Sequence, residues 1–408
     1  MKALLVIGLL LIASAAAAQD RLFIGGREVG TAGHFGQDVG PASSSIEFPR
    51  IGGERYIVTP TEIIDAMSGV RLRRPEGVIV AYDRARPRVF VMRYEGVWSH
   101  DVVSHFEVLV IARATADLTG CVHAASADVL LCAFIRDGRH DLVSSGSAGG
   151  QLVATAILAD PTGLPDYGLG TRWFITSDGT RSYFAECIGA EPASRCAQQR
   201  ASWLDLSTGV ITGQGLYTPF TGAPRMVYDE SRRRLYLVGY RIDVLNADLA
   251  FLGSASVFGR CQALAISAHT GRVYLNKRDY DYGVPTYGTL TAFDGGSYAQ
   301  LQGETVRASA AECGPLNLLT APGAPQGVTA HVDGHTVTLA WTNIGAASQF
   351  VVEAGRAPGL AEFLFYRNSA EPFAQFANVP TGTYYLRIRG GNLIGGGHAS
   401  REIAVRVP

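Results

Sequence analysis

Along most of the chain, apolar and polar residues alternate with a period of two, and almost no stretch repeats at the helical period of about 3.6. The alternation comes in a recurring strand–turn–strand unit. Val78 to Asp83 followed by Arg88 to Val91 is one copy, and Trp173 to Ser177 followed by Ser182 to Phe184 is another. Met226 to Asp229 with Arg234 to Leu237, and Ala263 to Ser267 with Arg272 to Leu275, repeat it. Each copy starts as an apolar strand, bends at a polar turn and returns in a second strand with an aromatic near its start. A companion strand closes many of them. Ile63-Ile64-Asp65, Trp203-Leu204-Asp205, Val244-Leu245-Asn246 and Ala292-Phe293-Asp294 each run into a tight polar turn.

These turn residues measure the repeat. Asp65 to Asp205 spans 140 residues, Asp205 to Asn246 spans 41 and Asn246 to Asp294 spans 48. The longest gap divides into three of about 47, the scale of one four-stranded β-propeller blade. The markers missing near positions 110 and 155 fall on strand-like Phe106–Ile111 and Leu152–Leu158. Six units are thus visible, and Arg21 to Gly25 with residues 305–320 close a seventh from both chain ends. The expected fold over residues 19–320 is an all-β propeller of seven blades, with six as the alternative.

Leu318 to Pro325 interrupts this pattern with two prolines and a glycine, which places a boundary near Ala321. Alternation then resumes in Val328–Val332, Thr336–Trp341, Phe350–Glu353 and Tyr384–Arg389. Residues 321–408 resemble the fibronectin type III family: Val337, Leu339 and Trp341 match its second strand, and Phe350 and Val352 its third. Leu386, Ile388 and Gly390 match the inward positions of the next-to-last strand, and Asn392, Gly395, Gly396 and Ser400 its final turn. The resemblance implies a β-sandwich in which Tyr384 is a corner tyrosine bonded back to the chain, acting as a spacer or adhesive module. There is no Arg-Gly-Asp onto which an integrin-binding role could be carried.

The chain begins with Met1-Lys2, an apolar run from Ala3 to Ala13, and Ala15 to Ala18, a small-residue cleavage site. Residues 1–18 therefore read as a signal peptide, the mature protein as extracytoplasmic (secreted or periplasmic) without a membrane span. In such a compartment six cysteines imply disulfides. Proximity favours Cys121 with Cys132 and Cys187 with Cys196, leaving Cys261 and Cys313 for a long-range link. Net charge is −1 and there is no basic run, which argues against nucleic acid or an anionic membrane surface as partner.

Candidate chemistry follows from the expected architecture. The loops entering the inner strands of a propeller form a rim where ligands bind, and Glu76, Arg172, Arg225, Arg260 and Gln262 lie there. His123 falls on an inner strand. Several arginines at one rim suit a carboxylate, sulfate or phosphate. The pattern of Tyr228-Asp229 followed by Arg234-Leu235-Tyr236 resembles bacterial propellers of the lactonase, streptogramin-lyase and quinoprotein kind. Lactonases of that shape hold a divalent cation in the channel, a ligand set that does not map residue by residue onto this chain. Asp279 and Asp281, read as an inserted loop, have the spacing of a Ca²⁺ pair, with a solvated turn as the alternative. His100, Asp101 and His105 carry metal or acid–base ingredients without a standard spacing. Ser144 to Gly150 reads as a flexible linker.

The expected function is a non-catalytic binding or interaction protein, with a protein, glycan or small molecule as partner and no resident cofactor. The alternative is a metal-dependent propeller enzyme, lactonase- or lyase-like, with Ca²⁺ in its channel.

Overall fold

A computed structural model describes residues 21–24, 27–30, 49–112, 117–124, 128–136, 139–146, 152–158, 174–177, 180–191, 195–205, 208, 211–217, 225–238, 241–256, 260–281, 284–296, 300–308, 316–344 and 347–408. Among them every regular element is a β-strand. Six four-stranded antiparallel sheets, here units I to VI, follow one another along the chain. Their first strands are Arg50–Ile51, Val78–Asp83, Asp117–Ala124, Phe174–Ser177, Arg225–Asp229 and Arg260–Ile266. Within each, the second, third and fourth strands follow in spatial order as they do in sequence. A three-stranded sheet joins the two ends of this region, with Arg21–Ile24 between Arg27–Gly30 and Leu316–Leu319. Residues 305–308, grouped above with that closing sheet, belong instead to Gln300–Ala308, the fourth strand of unit VI.

Successive first strands are neighbours in space, from Arg50–Ile51 through each unit to Leu316–Leu319. The units pack face against face and bury their cores between sheets. Phe90 and Val97 of unit II meet Leu130 and Phe134 of unit III. Tyr183 and Ala201 of unit IV meet Leu235 and Leu237 of unit V. Tyr236 and Val244 then meet Val273 and Leu275 of unit VI. Each such fully buried large side chain contributes roughly 1.5–3 kcal/mol.

The recurring acidic residues build turns. At third-strand ends, Asp65 Oδ1 accepts from Met67 N at 3.0 Å, Asp205 Oδ1 from Thr208 N at 2.9 Å and Asp294 Oδ1 from Gly296 N at 2.9 Å. Asn246 Oδ1 accepts from Asp248 N and Ala250 N at 2.9 and 2.8 Å. Asp101 does the same for Val103 N and Ser104 N at 3.0 and 2.7 Å, so it is the marker missing from unit II. It comes early because the fourth strand of unit I, Arg71–Arg73, has three residues. Val102 after it is buried, whereas Val103 is exposed. Ser144 to Gly146, read as linker, belong to the third strand of unit III, where Ser145 Oγ donates to Val110 O at 2.9 Å.

The Arg-x-Tyr signature ties unit IV to unit V and unit V to unit VI. Arg181 Nη1 and Tyr183 OH of unit IV both donate to Ala247 O of unit V, at 2.8 and 3.1 Å. Arg234 and Tyr236 of unit V repeat this on Gly295 O of unit VI. The pattern that resembles bacterial propellers is therefore a structural latch.

The C-terminal region forms two facing sheets. One holds Gln326–Asp333, Thr336–Thr342 and Phe373–Phe376. The other orders Phe363–Arg367, Gln349–Gly355, Gly382–Asn392 and Gly395–Ala399, with Ile403–Val407 also on Gly382–Asn392. Leu339, Trp341, Phe350, Val352, Leu386 and Ile388 fill the space between them. Trp341 meets Phe350 edge-on at 5.0 Å. Tyr384 OH donates to Pro380 O at 3.0 Å, the corner tyrosine of a fibronectin type III-like sandwich.

Candidate functional site

The predicted site residues separate to opposite ends of the strands. Arg225 and Arg260 begin the first strands of units V and VI, Gln262 follows within the same strand as Arg260, and Glu76 precedes that of unit II. Glu76 is exposed, and its carbonyl accepts from Arg93 Nε at 3.0 Å. Arg172 lies outside the described residues, as do the signal-peptide positions 1–18 and Cys313. Asp279 and Asp281 are not in an inserted loop. They lie in the Arg272–Asp281 strand, opposite Tyr287 and Val284, in an extended hairpin whose tip is on the Glu76 side.

Cys121 and Cys132 face each other across one hairpin and form a disulfide. Cys187 and Cys196 also share a hairpin, opposite Gln199 and Ala190 respectively. Cys261 lies in the first strand of unit VI.

At the other end of the first strands lies the group that, among the described residues, comes nearest to a metal centre. Asp83 ends the first strand of unit II, His123 is near the end of that of unit III, and Asp128 is in the turn that follows. One ligand atom from each lies within 4.8 Å of the others. The His123 side chain is about 1% exposed; Nε2 is 3.2 Å from Asp128 Oδ1, and Nδ1 is 3.8 Å from Asp83 Oδ1 and without a hydrogen bond. Sequence reading found His123 but not its partners, because Asp83 is distant along the chain and resembles an ordinary turn residue.

The same carboxylates already hold two cations. Arg88 donates to Asp83 Oδ2 and to Asp128 Oδ1. Arg86 Nη1 lies 3.0 Å from Asp128 Oδ1 and 3.7 Å from Asp83 Oδ2. Burial opposes the Arg86 charge, yet Asp128, Asp83 and Glu371 outweigh it and raise its pKa. Asp83 Oδ1 also accepts from Ala85 N and Arg86 N at 3.0 and 3.1 Å. A divalent ion here would face two fixed guanidinium groups and compete with the turn for its oxygens. These residues do not fit a metal. They make an ion-pair network that clamps unit II to unit III.

The His100 group resolves in the same direction. Asp101 is spent on its turn, and His100 Nδ1 instead meets Glu107 Oε1 at 2.8 Å, from the strand directly opposite. Arg93 binds the Glu107 carboxylate and is the main cause of its pKa falling to about 2, against burial and with help from His100. His105 approaches His100 only ring to ring, at 5.8 Å.

The Arg86 network continues into the sandwich, where Glu371 Oε1 lies 3.0 Å from Arg86 Nη2. Other turns between first and second strands make similar contacts. Leu393 N donates to Gly53 O at 3.0 Å, and Gln326 Nε2 to Ser231 O at 3.0 Å. His269 and His398 stack at 4.2 Å with planes 9° apart. Gly53 has φ +65°, and a Cβ there would meet Ser348 Oγ at 2.2 Å, so only glycine allows this approach. Asn392 Nδ2 donates to Thr320 O at 2.9 Å, fixing the last turn of the sandwich to the segment that leads into it. The sandwich thus stands on the first-to-second-strand turns, and the ends carrying Glu76, Arg225 and Arg260 point the other way.

No protein-family model matches the chain, and no curated protein matches it in sequence. Among solved structures, a fibronectin type III-like protein from Clostridium thermocellum is 24% identical over 22% of this chain and 96% of its own, with a TM-score of 0.21. The FN5 domain of Drosophila Lar is 20% identical over 21% of this chain and 97% of its own, with a TM-score of 0.19. The extracellular domain of a hybrid two-component system from B. thetaiotaomicron is 12% identical over 86% of this chain and 55% of its own, with a TM-score of 0.36. What the chain's own strand order and corner tyrosine establish is an all-β protein ending in a fibronectin type III-like sandwich.

Proposed function

We propose that the seven sheets are the blades of a β-propeller, and that the chain is an exported binding protein whose ligand face is the one opposite the sandwich. The neighbouring first strands and the sheet uniting both ends of the region support closure. So does Arg84, which pairs with Glu54 of unit I at 2.6 Å and donates to Leu318 O of the closing sheet at 3.4 Å. The leader-like N-terminus and the Cys121–Cys132 disulfide support export.

One observation carries the functional reading: the sandwich contacts the first-to-second-strand turns of units I, II, V and VI, and these contacts all fall at that one end of the strands. The opposite rim holds the positions of Arg225 and Arg260, which suit an anionic group on a glycan, protein or small molecule. The sandwich on this reading is a fixed base rather than a spacer. The most nearly metal-like cluster among the described residues is ion-paired and belongs to the base, so it supplies neither a cation nor an acid–base pair to the rim.

The test is an array of neutral, carboxylated and sulfated glycans probed with the mature chain and two variants. Binding lost in Arg225→Glu/Arg260→Glu but kept in Glu371→Gln supports the open-rim reading. Binding that depends on Glu371 and ignores the arginines overturns it. Metal analysis after dialysis decides the enzymatic alternative: about one retained Ca²⁺ per chain, with a melting temperature lowered by chelator, supports a metal-dependent enzyme instead.

A further inference from the structure

One edge of the sandwich exposes apolar side chains on both of its faces. Phe363–Arg367 is the outer strand of its sheet and pairs only with Gln349–Gly355. Side chains on both of its faces are exposed: Phe363 at 37%, Leu364 at 49%, Phe365 at 42% and Tyr366 at 59%. Leu360 and Phe373, from flanking segments, are 48% and 45% exposed. Phe365 contacts Phe376 at 4.8 Å, so the patch wraps from one sheet's edge to the other's.

Exposed edge strands are normally blunted by lysine, proline or a bulge, and this one has none of them. The Gln326–Asp333 edge, by contrast, carries polar residues and a bulge between Gln326 and Thr329. Gly395–Ala399 is glycine-rich, with His398 set against His269.

We infer that the Phe363–Arg367 edge pairs antiparallel with the same edge of a second copy of this chain. The free backbone groups of an edge form a template that another extended strand can pair along its whole length. A two-fold axis at Leu364 sets Leu364 against Leu364, Phe363 against Phe365 and Glu362 against Tyr366 of the second copy. Every inner pair is apolar, and no like charges are opposed.

Area supports the same occupant. Four aromatic side chains of about 150–250 Å² each, at these exposures, present roughly 300–450 Å². Two half-exposed leucines bring the patch to the upper end of the roughly 300–600 Å² that is the largest on a typical monomer. Adding the strand backbone with Glu362 and Arg367 approaches the roughly 800 Å² per partner of a stable interface. The edge belongs to the sandwich, so pairing there leaves the Arg225 and Arg260 ends of both copies uncovered. The inference stands whether or not those ends bind a ligand.

Sedimentation velocity of the mature chain from about 1 to about 100 µM tests it. The expected result is a monomer-to-dimer shift in the parent protein, abolished in Leu364→Lys/Tyr366→Lys with its melting temperature unchanged. Leu364→Cys is a second reading, since a cysteine on the axis faces itself and forms a disulfide-linked dimer on mild oxidation. A parent that stays monomeric at the highest concentration overturns the inference. So does a dimer that survives the double lysine variant or fails to cross-link through Cys at 364.

Discussion

Replacing Asn392 by Asp changes one atom at the point where the sandwich meets the rest of the chain. Asn392 is 5% exposed, and its two halves do different work. Oδ1 accepts from Ile394 N and Gly395 N at 2.9 and 3.2 Å, shaping the turn. Nδ2 donates to Thr320 O at 2.9 Å, across the junction. Asp keeps the acceptor and the shape but sets a carboxylate oxygen against a buried carbonyl. Losing that bond across the junction is expected to destabilise the docked state by about 1–3 kcal/mol, with desolvation of the new charge adding to it. For a sandwich-sized domain, about 2 kcal/mol corresponds to a fall of roughly 8–16 °C in its transition. Hydrogen exchange read by mass spectrometry localises the effect. Amides around Gly53 and Thr320 lose protection, while Leu386 to Ile388 in the sandwich core exchange as before below the transition. Unchanged protection at Gly53 and Thr320 would refute the claim that Asn392 pins the junction.

Three further outcomes follow from the same geometry. Cys121→Ser/Cys132→Ser removes a bridge with a sequence separation of 11 residues and is expected to destabilise by about 3 kcal/mol, read by urea unfolding with and without reductant. Arg234→Ala and Tyr236→Phe both weaken the latch on Gly295 O, so each should lower stability by about 0.5–1.5 kcal/mol. In a double-mutant cycle their effects should be non-additive, because the two donors share one acceptor. Glu107, whose folded pKa is depressed to about 2 by Arg93, contributes stability that is present above its unfolded pKa near 4.5. That contribution is lost as pH falls from there towards 2, so acid titration of Glu107→Gln should show a shallower loss over this window than the parent.

The fold was legible where the physics is local. Period-two patterning locates the strands, and a turn that needs a side-chain acceptor recruits Asp or Asn, so Asp65, Asp205, Asn246 and Asp294 mark the repeat in the sequence alone. Asp101 escaped because spacing was treated as uniform, whereas unit I ends in a fourth strand of three residues. Asp279 and Asp281 were misplaced because an acidic pair beside tyrosines and a glycine resembles a loop. In fact, this hairpin is a long one, as is that of unit IV, and the pair lies within its strand. Cys121 with Cys132 was within reach for the opposite reason: two cysteines in adjacent strands of one hairpin have a register that brings them together.

The site was legible only in fragments, because its meaning depends on which end of each strand is covered. Arg225 read as a rim residue and His123 as an inner-strand residue, and nothing local distinguishes the end that faces the sandwich from the end that does not. The covering contacts join Gly53, Arg86, Ser231 and His269 to residues 326–398, positions that sequence spacing cannot bring together. Their residue types are what turns use anyway. The same limit explains the cluster of Asp83, His123 and Asp128, since its three ligand types suggest a cation until Arg86 and Arg88 are seen on the same oxygens. A metal site and a buried ion-pair network draw on the same acids. What separates them is whether the positive charge comes from the solvent or from the chain, and here the chain supplies it. The consequence is directional: among the described residues, Asp83 and Asp128 are consumed in holding unit II to unit III, which is why the proposed recognition is assigned to the opposite ends of the strands.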